Sequence, residues 1–361
     1  MDIAVIGGGN GAYAAAADLA EQGHRIRLWR RDTAALAPLR EAGGIELIDF
    51  RGQRQIPLAL ITSDAGEAVS GADLLVSPLP AFAQADVAHA IAPHLSSGQV
   101  IYLPPGTFGS CVMARAIADA GGPHDIAIAE AGTLPWLTRK AGAAAVAITT
   151  RATRLPSGVF PARRSDEAFA VLEQAFPTIE RLKDGLDGAL MNAGPIIHPP
   201  LILMNAGPIE YFEHWDIHNE GTQPAIRRVT DALDEERVAI REALGYGAPH
   251  FRLADHYDDS REEWMYGNAA HERLVDSGDW RESLDLIRHR YMREDVQYGL
   301  ALLVSIGRWA GIETPIATGL LAIASATLNE DISTTGRTLE LLELQLLTHE
   351  NMKKFLKRGF A

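Results

Sequence analysis

The sequence predicts an α/β domain with a doubly wound parallel sheet over residues 1–187, followed by an all-α domain over residues 188–361. Two observations predict it. Through the first half, short apolar runs of strand length alternate with helix-length segments, the pattern of parallel βαβ units. Near Gly188 the strand-like runs stop and long helical periodicities take over. At 361 residues, with 47% hydrophobic and 22% charged residues, the chain is long enough and apolar enough for two cores.

The elements follow in order. Ile3 to Ile6 reads as a buried strand and Gly11 to Gln22 as an alanine-rich helix. Arg25 to Trp29 is the second strand, Thr33 to Ala42 the second helix, and Glu46 to Leu60 a strand pair turning at Arg51-Gly52. Ala72 to Ser77, Val100 to Leu103 and Asp125 to Ala129 are further strands. Ala143 to Thr150 is strongly β-prone, and Ser165 to Phe176 is helical. Beyond the boundary at residues 184–190, helices are expected at Ala225 to Leu244, Arg261 to Val275, Glu294 to Trp309 and Ile316 to Leu328. Val296, Leu300, Leu303 and Gly307 give the third of these an apolar face. The hexapeptide Met-Asn-Ala-Gly-Pro-Ile occurs at 191–196 and again at 204–209, too few copies for a repeat architecture.

The turn after the first strand carries chemistry. Gly7-Gly8-Gly9-Asn10-Gly11-Ala12 fits G-x-G-x-x-A, with Gly7 for the tight turn, Gly9 for close approach of a pyrophosphate and Ala12 for close helix–strand packing. The pyrophosphate would sit on the N-terminal end of the following helix, where unpaired amides favour an anion. Placed after a strand and before a helix, the motif implies a Rossmann-type dinucleotide site. At the end of the second strand stands Arg30, with Arg31 beside it, where a carboxylate would bind an NAD ribose. NADP is therefore the expected cofactor, and NAD the alternative, since Asp32 is within reach of a ribose. Asn10, Gly11 and, after a later strand, Pro80 complete the expected cofactor contacts.

Composition narrows the class. A net charge of −14 argues against nonspecific nucleic-acid binding, which needs a positive surface. No run of about 18 apolar residues suggests a membrane span. The start, Met1-Asp2-Ile3, lacks the basic region of a signal peptide, so a cytoplasmic location is expected. Cys111 is the one cysteine, which excludes an internal disulfide and a thiolate-rich metal site. His250, His256, His271 and His289 show no ligand spacing, so no metal is expected.

Several segments together resemble the opine dehydrogenases: the N-terminal turn, Thr133-Leu134-Pro135-Trp136-Leu137-Thr138-Arg139, His198-Pro199, and Arg290-Tyr291-Met292-Arg293-Glu294-Asp295-Val296. Gly311 to Ile316 and Gly336 to Leu339 fit as well, and the likeness covers essentially the whole chain. The resemblance implies reductive condensation of an amino acid with an α-keto acid, these two small molecules being the partners, in an enzyme that forms a homodimer. It also implies that His198 is the acid/base, Asp295 its partner and Arg290 the group that holds a substrate carboxylate. Thr133 and Trp136 match a loop near the substrate. One departure is Gly194, where relatives carry an asparagine four positions before the histidine; Asn192, two residues further back, is the candidate for that polar role.

These residue types suit the chemistry independently: histidine exchanges protons near neutral pH, a carboxylate fixes its tautomer, and arginine offers a planar fork to a carboxylate. On the residues alone, His198 also reads as a satisfied histidine at a proline kink, Asp295 as a first-turn residue and Arg290 as solvated. In one continuous α-helix, residues five apart are rotated by about 140°, so Arg290 and Asp295 share a site only if the helix starts between them, which is expected, or the pocket wraps around the helix. Two other functions remain open: a keto- or hydroxy-acid reductase of the ketopantoate reductase type, and a non-catalytic NADP sensor. The first uses a lysine of the helical domain, and residues 188–352 contain none.

Overall fold

The first strands show why the chain folds as it does: Ile3 to Ile6 are wholly buried, and the alanine-rich helix that follows is buried on nearly every side. The structure, a computed structural model, describes residues 1–254, 265–266 and 281–360. Its compact units are Met1–Ala189 with Lys354–Ala361, and Leu190–Lys353. The expected helix at Arg261 to Val275 falls almost entirely outside the described residues.

The first unit contains strands β1 (Asp2–Ile6), β2 (Arg25–Trp29), β3 (Gly44–Asp49), β4 (Gly52–Pro57), β5 (Leu60–Thr62) and β6 (Leu74–Val76). It continues with β7 (Val100–Leu103), β8 (Ala127–Ala131), β9 (Trp136–Gly142), β10 (Ala145–Arg151), β11 (Leu155–Phe160) and β12 (Ile179–Arg181). The main sheet runs β12-β11-β8-β7-β6-β1-β2-β5, parallel except where β11 meets β8. A second sheet runs β4-β3-β10-β9. The expected hairpin turning at Arg51-Gly52 is the β3–β4 pair.

The helix Asn10–Glu21 touches strands of both sheets, which is why it is built of alanine: a larger residue on either side would hold the sheets apart. Three polar contacts lock it to the second sheet. Tyr13 Oη donates to the Ala143 carbonyl at 2.9 Å, and Trp136 Nε1 donates to Asp18 at 2.8 Å. Arg151 bridges Asp18 and Asp49, whose carboxyl is held well below the usual range mainly by its bond from Arg54.

The structure corrects three readings. The segment from Trp136 is a strand, not a loop; its alternation is masked because the strand edges a small second sheet. Strands β11 and β12 were missed, since Leu155-Pro156-Ser157-Gly158 carries proline and glycine, both poor strand formers that full burial overrides. The terminal Lys354–Ala361 clusters with the first unit, because Phe355 and Phe360 pack on Phe160 at 5.2 and 5.9 Å.

The second unit is helical, with one addition: Trp215–Asp216 and Arg281–Glu282 form a two-stranded ribbon. Its main helices are Gly194–Met204, Ala206–Tyr211, Pro224–Ala243, Ala301–Ala310 and Pro315–Leu328. Each copy of the duplicated hexapeptide leads into a helix start, at Gly194 and at Ala206, which is the physical content of the repetition. The expected helix from Glu294 to Trp309 begins earlier, as a π-helix over Tyr291–Leu300, and becomes α-helical from Ala301.

Candidate functional site

The turn after β1 has the geometry its motif requires. Gly7 has φ +123°, a region that favours glycine, and its N–H donates to the Trp29 carbonyl at 2.9 Å. A Cβ on Gly11 would lie 2.8 Å from Leu134 Cδ1, so the helix can start here only without a side chain at that position. A Cβ on Gly9 would meet nothing within 4 Å, leaving room above the turn. The helix that starts at Asn10 has no side-chain cap and no acidic residue in its first turn. Its first amides and positive dipole end are thus arranged as a pyrophosphate site requires, and the residues present fit a dinucleotide.

Arg30 is held close to this turn. Its side chain runs across Gly8, where a Cβ would lie 2.6 Å from Arg30 Cδ, and it pairs with Asp32 at 3.8 Å. Gly8, an unspecified position of the motif, is therefore what lets the arginine reach over the loop. Arg31 is exposed. Asn10 Oδ1 accepts from Lys140 N at 3.0 Å, and Pro80 opens the short turn Ala81–Ala83 after β6. Thr133 lies in the bend between β8 and β9. Trp136 starts β9 as a buried ring near Phe176, and its one polar atom is engaged by Asp18. Within the first unit the ring is 2% exposed.

In the second unit, His198 lies midway along Gly194–Met204, directly before Pro199 and Pro200. Those prolines supply no N–H, so the helix lacks two of its interior hydrogen bonds beside the histidine. Its partner element is the π-helix Tyr291–Leu300, and the two pack closely enough that a Cβ on Gly299 would lie 2.1 Å from Pro195 Cγ. His198 Nδ1 and Asp295 Oδ2 are 2.8 Å apart, with side-chain exposures of 13% and 7%. Arg290 is the N-cap of that helix, so the helix starts between Arg290 and Asp295, and the Arg290 charge reaches the Asp295 carboxyl.

Arg290 is exposed and, among the described residues, makes no ion pair. Its charge nevertheless bears on both members of the pair. Burial pushes the Asp295 carboxyl up, against the pull of Arg290. Burial holds the His198 imidazolium well below its ordinary range, and the Arg290 charge lowers it further. The resting imidazole is therefore neutral. A neutral imidazole that donates Nδ1–H to a carboxylate presents Nε2 as its basic nitrogen. His289 is pushed down to about 4, chiefly by burial.

Gly194 explains the departure from the family pattern. A Cβ there would lie 2.3 Å from Asp295 Oδ1, so this backbone leaves no space for an asparagine at that position. Asn192 Oδ1 accepts from Gly194 N at 3.0 Å, so its oxygen serves the helix start. Two neighbours escaped sequence reasoning. Tyr291 stacks on His198 with ring centroids 3.6 Å apart at 8°, and its hydroxyl meets His218 Nε2 at 2.6 Å. Tyr291 was in view only as part of a motif, and His218 had no local signal at all. Among the described residues no cluster could hold a metal, and no helix is long and apolar enough to cross a membrane.

Residues 181–328 match the family described as NAD/NADP octopine/nopaline dehydrogenase, alpha-helical domain. Residues 2–104 match the N-terminus of NAD-dependent glycerol-3-phosphate dehydrogenase. The opine dehydrogenase of Arthrobacter sp. (strain 1C) is 28% identical over 354 residues, covering 96% of each chain. Octopine dehydrogenase, solved with NADH and agmatine, superposes with a TM-score of 0.74 at 19% identity, covering 99% of this chain and 98% of that one. Yersinopine dehydrogenase, solved with NADP+, gives 0.67 at 15% identity and 99% of both chains.

Proposed function

The chain belongs to the opine dehydrogenase family, and on that premise we propose that His198, Asp295 and Arg290 carry its reaction. It is an NAD(P)-dependent oxidoreductase that condenses an amino acid with an α-keto acid and reduces the product to a secondary-amine dicarboxylate. The bound dinucleotide supplies the hydride. The observation that carries the assignment of residues is the 2.8 Å bond between His198 and Asp295, both of which feel the Arg290 charge.

The roles follow from the protonation states. An amino acid arrives as an ammonium ion and cannot attack a carbonyl until it loses a proton. The neutral imidazole of His198 accepts that proton at Nε2, and the Asp295 carboxylate steadies the cation that results. The amine then adds to the keto carbon. The His198 imidazolium returns the proton to the departing hydroxyl, which leaves as water, and a protonated imine remains. Hydride addition to that carbon completes the secondary amine, and His198 is neutral again. Arg290 anchors a substrate carboxylate, for which a guanidinium with no ion pair among the described residues is well suited.

Arg30 lying across the glycine turn supports a preference for NADP, because its guanidinium is available to a 2′-phosphate while Asp32 is drawn into its ion pair. The absence of lysine from residues 188–352 weighs against a ketopantoate-type acid. The test is product analysis by mass spectrometry after incubation with NADPH, pyruvate and each amino acid in turn. The expected product is the two substrates joined with loss of one oxygen atom, and His198→Ala is expected to slow its formation by about 10²–10⁴-fold. Reduction of pyruvate to a hydroxy acid instead would overturn the reading.

A further inference from the structure

We propose that Tyr291 and His218 form a positioning pair that fixes the plane of the His198 imidazole; this rests on the reading of His198 as the acid–base group. A single hydrogen bond at Nδ1 leaves an imidazole free to rock about the bond to Asp295, which swings Nε2 away from its target. The Tyr291 ring removes that freedom, lying face to face with the imidazole at 3.6 Å and 8°.

The tyrosine ring is itself held at its hydroxyl and against a second ring, and its backbone is tied as well. Its hydroxyl is tied to His218 Nε2 at 2.6 Å. Its edge abuts His289, with centroids 4.4 Å apart and planes at 86°. Its backbone N–H donates to His289 Nδ1 at 3.3 Å as the π-helix begins. His218 in turn stands edge-on to His198, at 6.0 Å and 80°, so the three rings brace one another. Simple packing would need only an apolar ring here. A phenol bound to a second histidine, 73 residues away, is a device for holding that ring at a set depth and tilt.

The stack also suits the charge that appears during the reaction. Burial disfavours the His198 imidazolium, yet the cycle must pass through it. An aromatic face against the ring offers the cation a favourable quadrupole without adding a charge that would trap it.

The experiment is steady-state kinetics with NADPH, keto acid and amino acid on the wild type, Tyr291→Leu, Tyr291→Phe, His218→Leu and the Tyr291→Phe/His218→Leu double variant. Tyr291→Leu, which removes the stack, is expected to lower kcat about 30–100-fold with the keto-acid KM within about threefold, since misplacement of a catalytic group by about 1 Å costs of that order. Tyr291→Phe keeps the ring and should recover much of what Tyr291→Leu loses. That variant loses only the bond to His218, so it and His218→Leu should each cost about 3–10-fold. Because both break the same bond, the double variant should be no worse than the poorer single one.

A Tyr291→Leu kcat within twofold of wild type, a loss confined to KM, or multiplicative losses in the double variant would each overturn the proposal. If Tyr291→Leu does not fold, the cycle between Tyr291→Phe and His218→Leu decides. A wild type without amine-dependent turnover would refute the reading of the reaction instead. In that case the long-range 1H–15N spectrum of His198 decides: sharp single-tautomer signals in the wild type that broaden in Tyr291→Phe and in His218→Leu alike support the brace, and identical spectra in wild type and both variants sink it.

Discussion

Gly194→Ala is the smallest change that should dismantle the acid–base pair. The added Cβ would sit 2.3 Å from Asp295 Oδ1, about 1.1 Å closer than the 3.4 Å of ordinary contact. The backbone itself accepts alanine without strain, because Gly194 opens a helix and is absent from the positive-φ residues. Nothing but the steric overlap is therefore being tested. Asp295 cannot withdraw easily, since its π-helix is packed on Pro195 at Gly299. The carboxylate must rotate, and the 2.8 Å bond to His198 is what it loses. Overpacking of this size costs about 1–3 kcal/mol, which in a domain of this length lowers Tm by several degrees. A shift of about 1 Å in the partner of the catalytic base corresponds to roughly 10²-fold in kcat. Arg290 is untouched, so the keto-acid KM should change little. The assay is NADPH oxidation followed by absorbance, with a thermal melt of the same protein. Full kcat in a variant that melts like wild type would refute the coupling of Gly194 to Asp295.

Two further outcomes are expected. Arg30→Glu should shift the kcat/KM ratio of NADPH to NADH downward by about 10–100-fold, the worth of one charge-assisted contact to a phosphate, measured with both cofactors side by side; an unchanged ratio would remove Arg30 from the cofactor site. His289 is pushed down to about 4 in the fold from an ordinary 6.5, so the unfolded chain binds the proton first. Its contribution to stability is complete above pH 6.5 and is lost as pH falls toward 4. Melting temperatures across that window should therefore fall more steeply for the wild type than for His289→Gln, and parallel curves would contradict the assignment.

The sequence made the cofactor turn legible because its requirements are local: a strand, three small residues and a helix within a dozen positions. It was less informative about β11, where proline and glycine lower strand propensity and only burial on all sides decides the matter. The pair His198–Asp295 was legible through resemblance, and helical rotation asked for a helix that starts between Arg290 and Asp295, where Arg290 is now the N-cap. That the helix there is a π-helix was announced by no residue pattern. Tyr291 and His218 illustrate the remaining gap: their meeting depends on the packing of segments 73 residues apart. Gly194 shows the opposite case, a departure from the family pattern that becomes a requirement once Asp295 Oδ1 is seen against it.

Hydride transfer by this chain awaits an imine built from two substrates. That dependence is read from the rate of NADPH oxidation with pyruvate alone and with pyruvate plus an amino-acid panel. Oxidation is expected only when an amino acid is present, with the rate saturating in both substrates. Sustained oxidation with pyruvate alone, unaffected by any amine, would rule out a reaction through an imine.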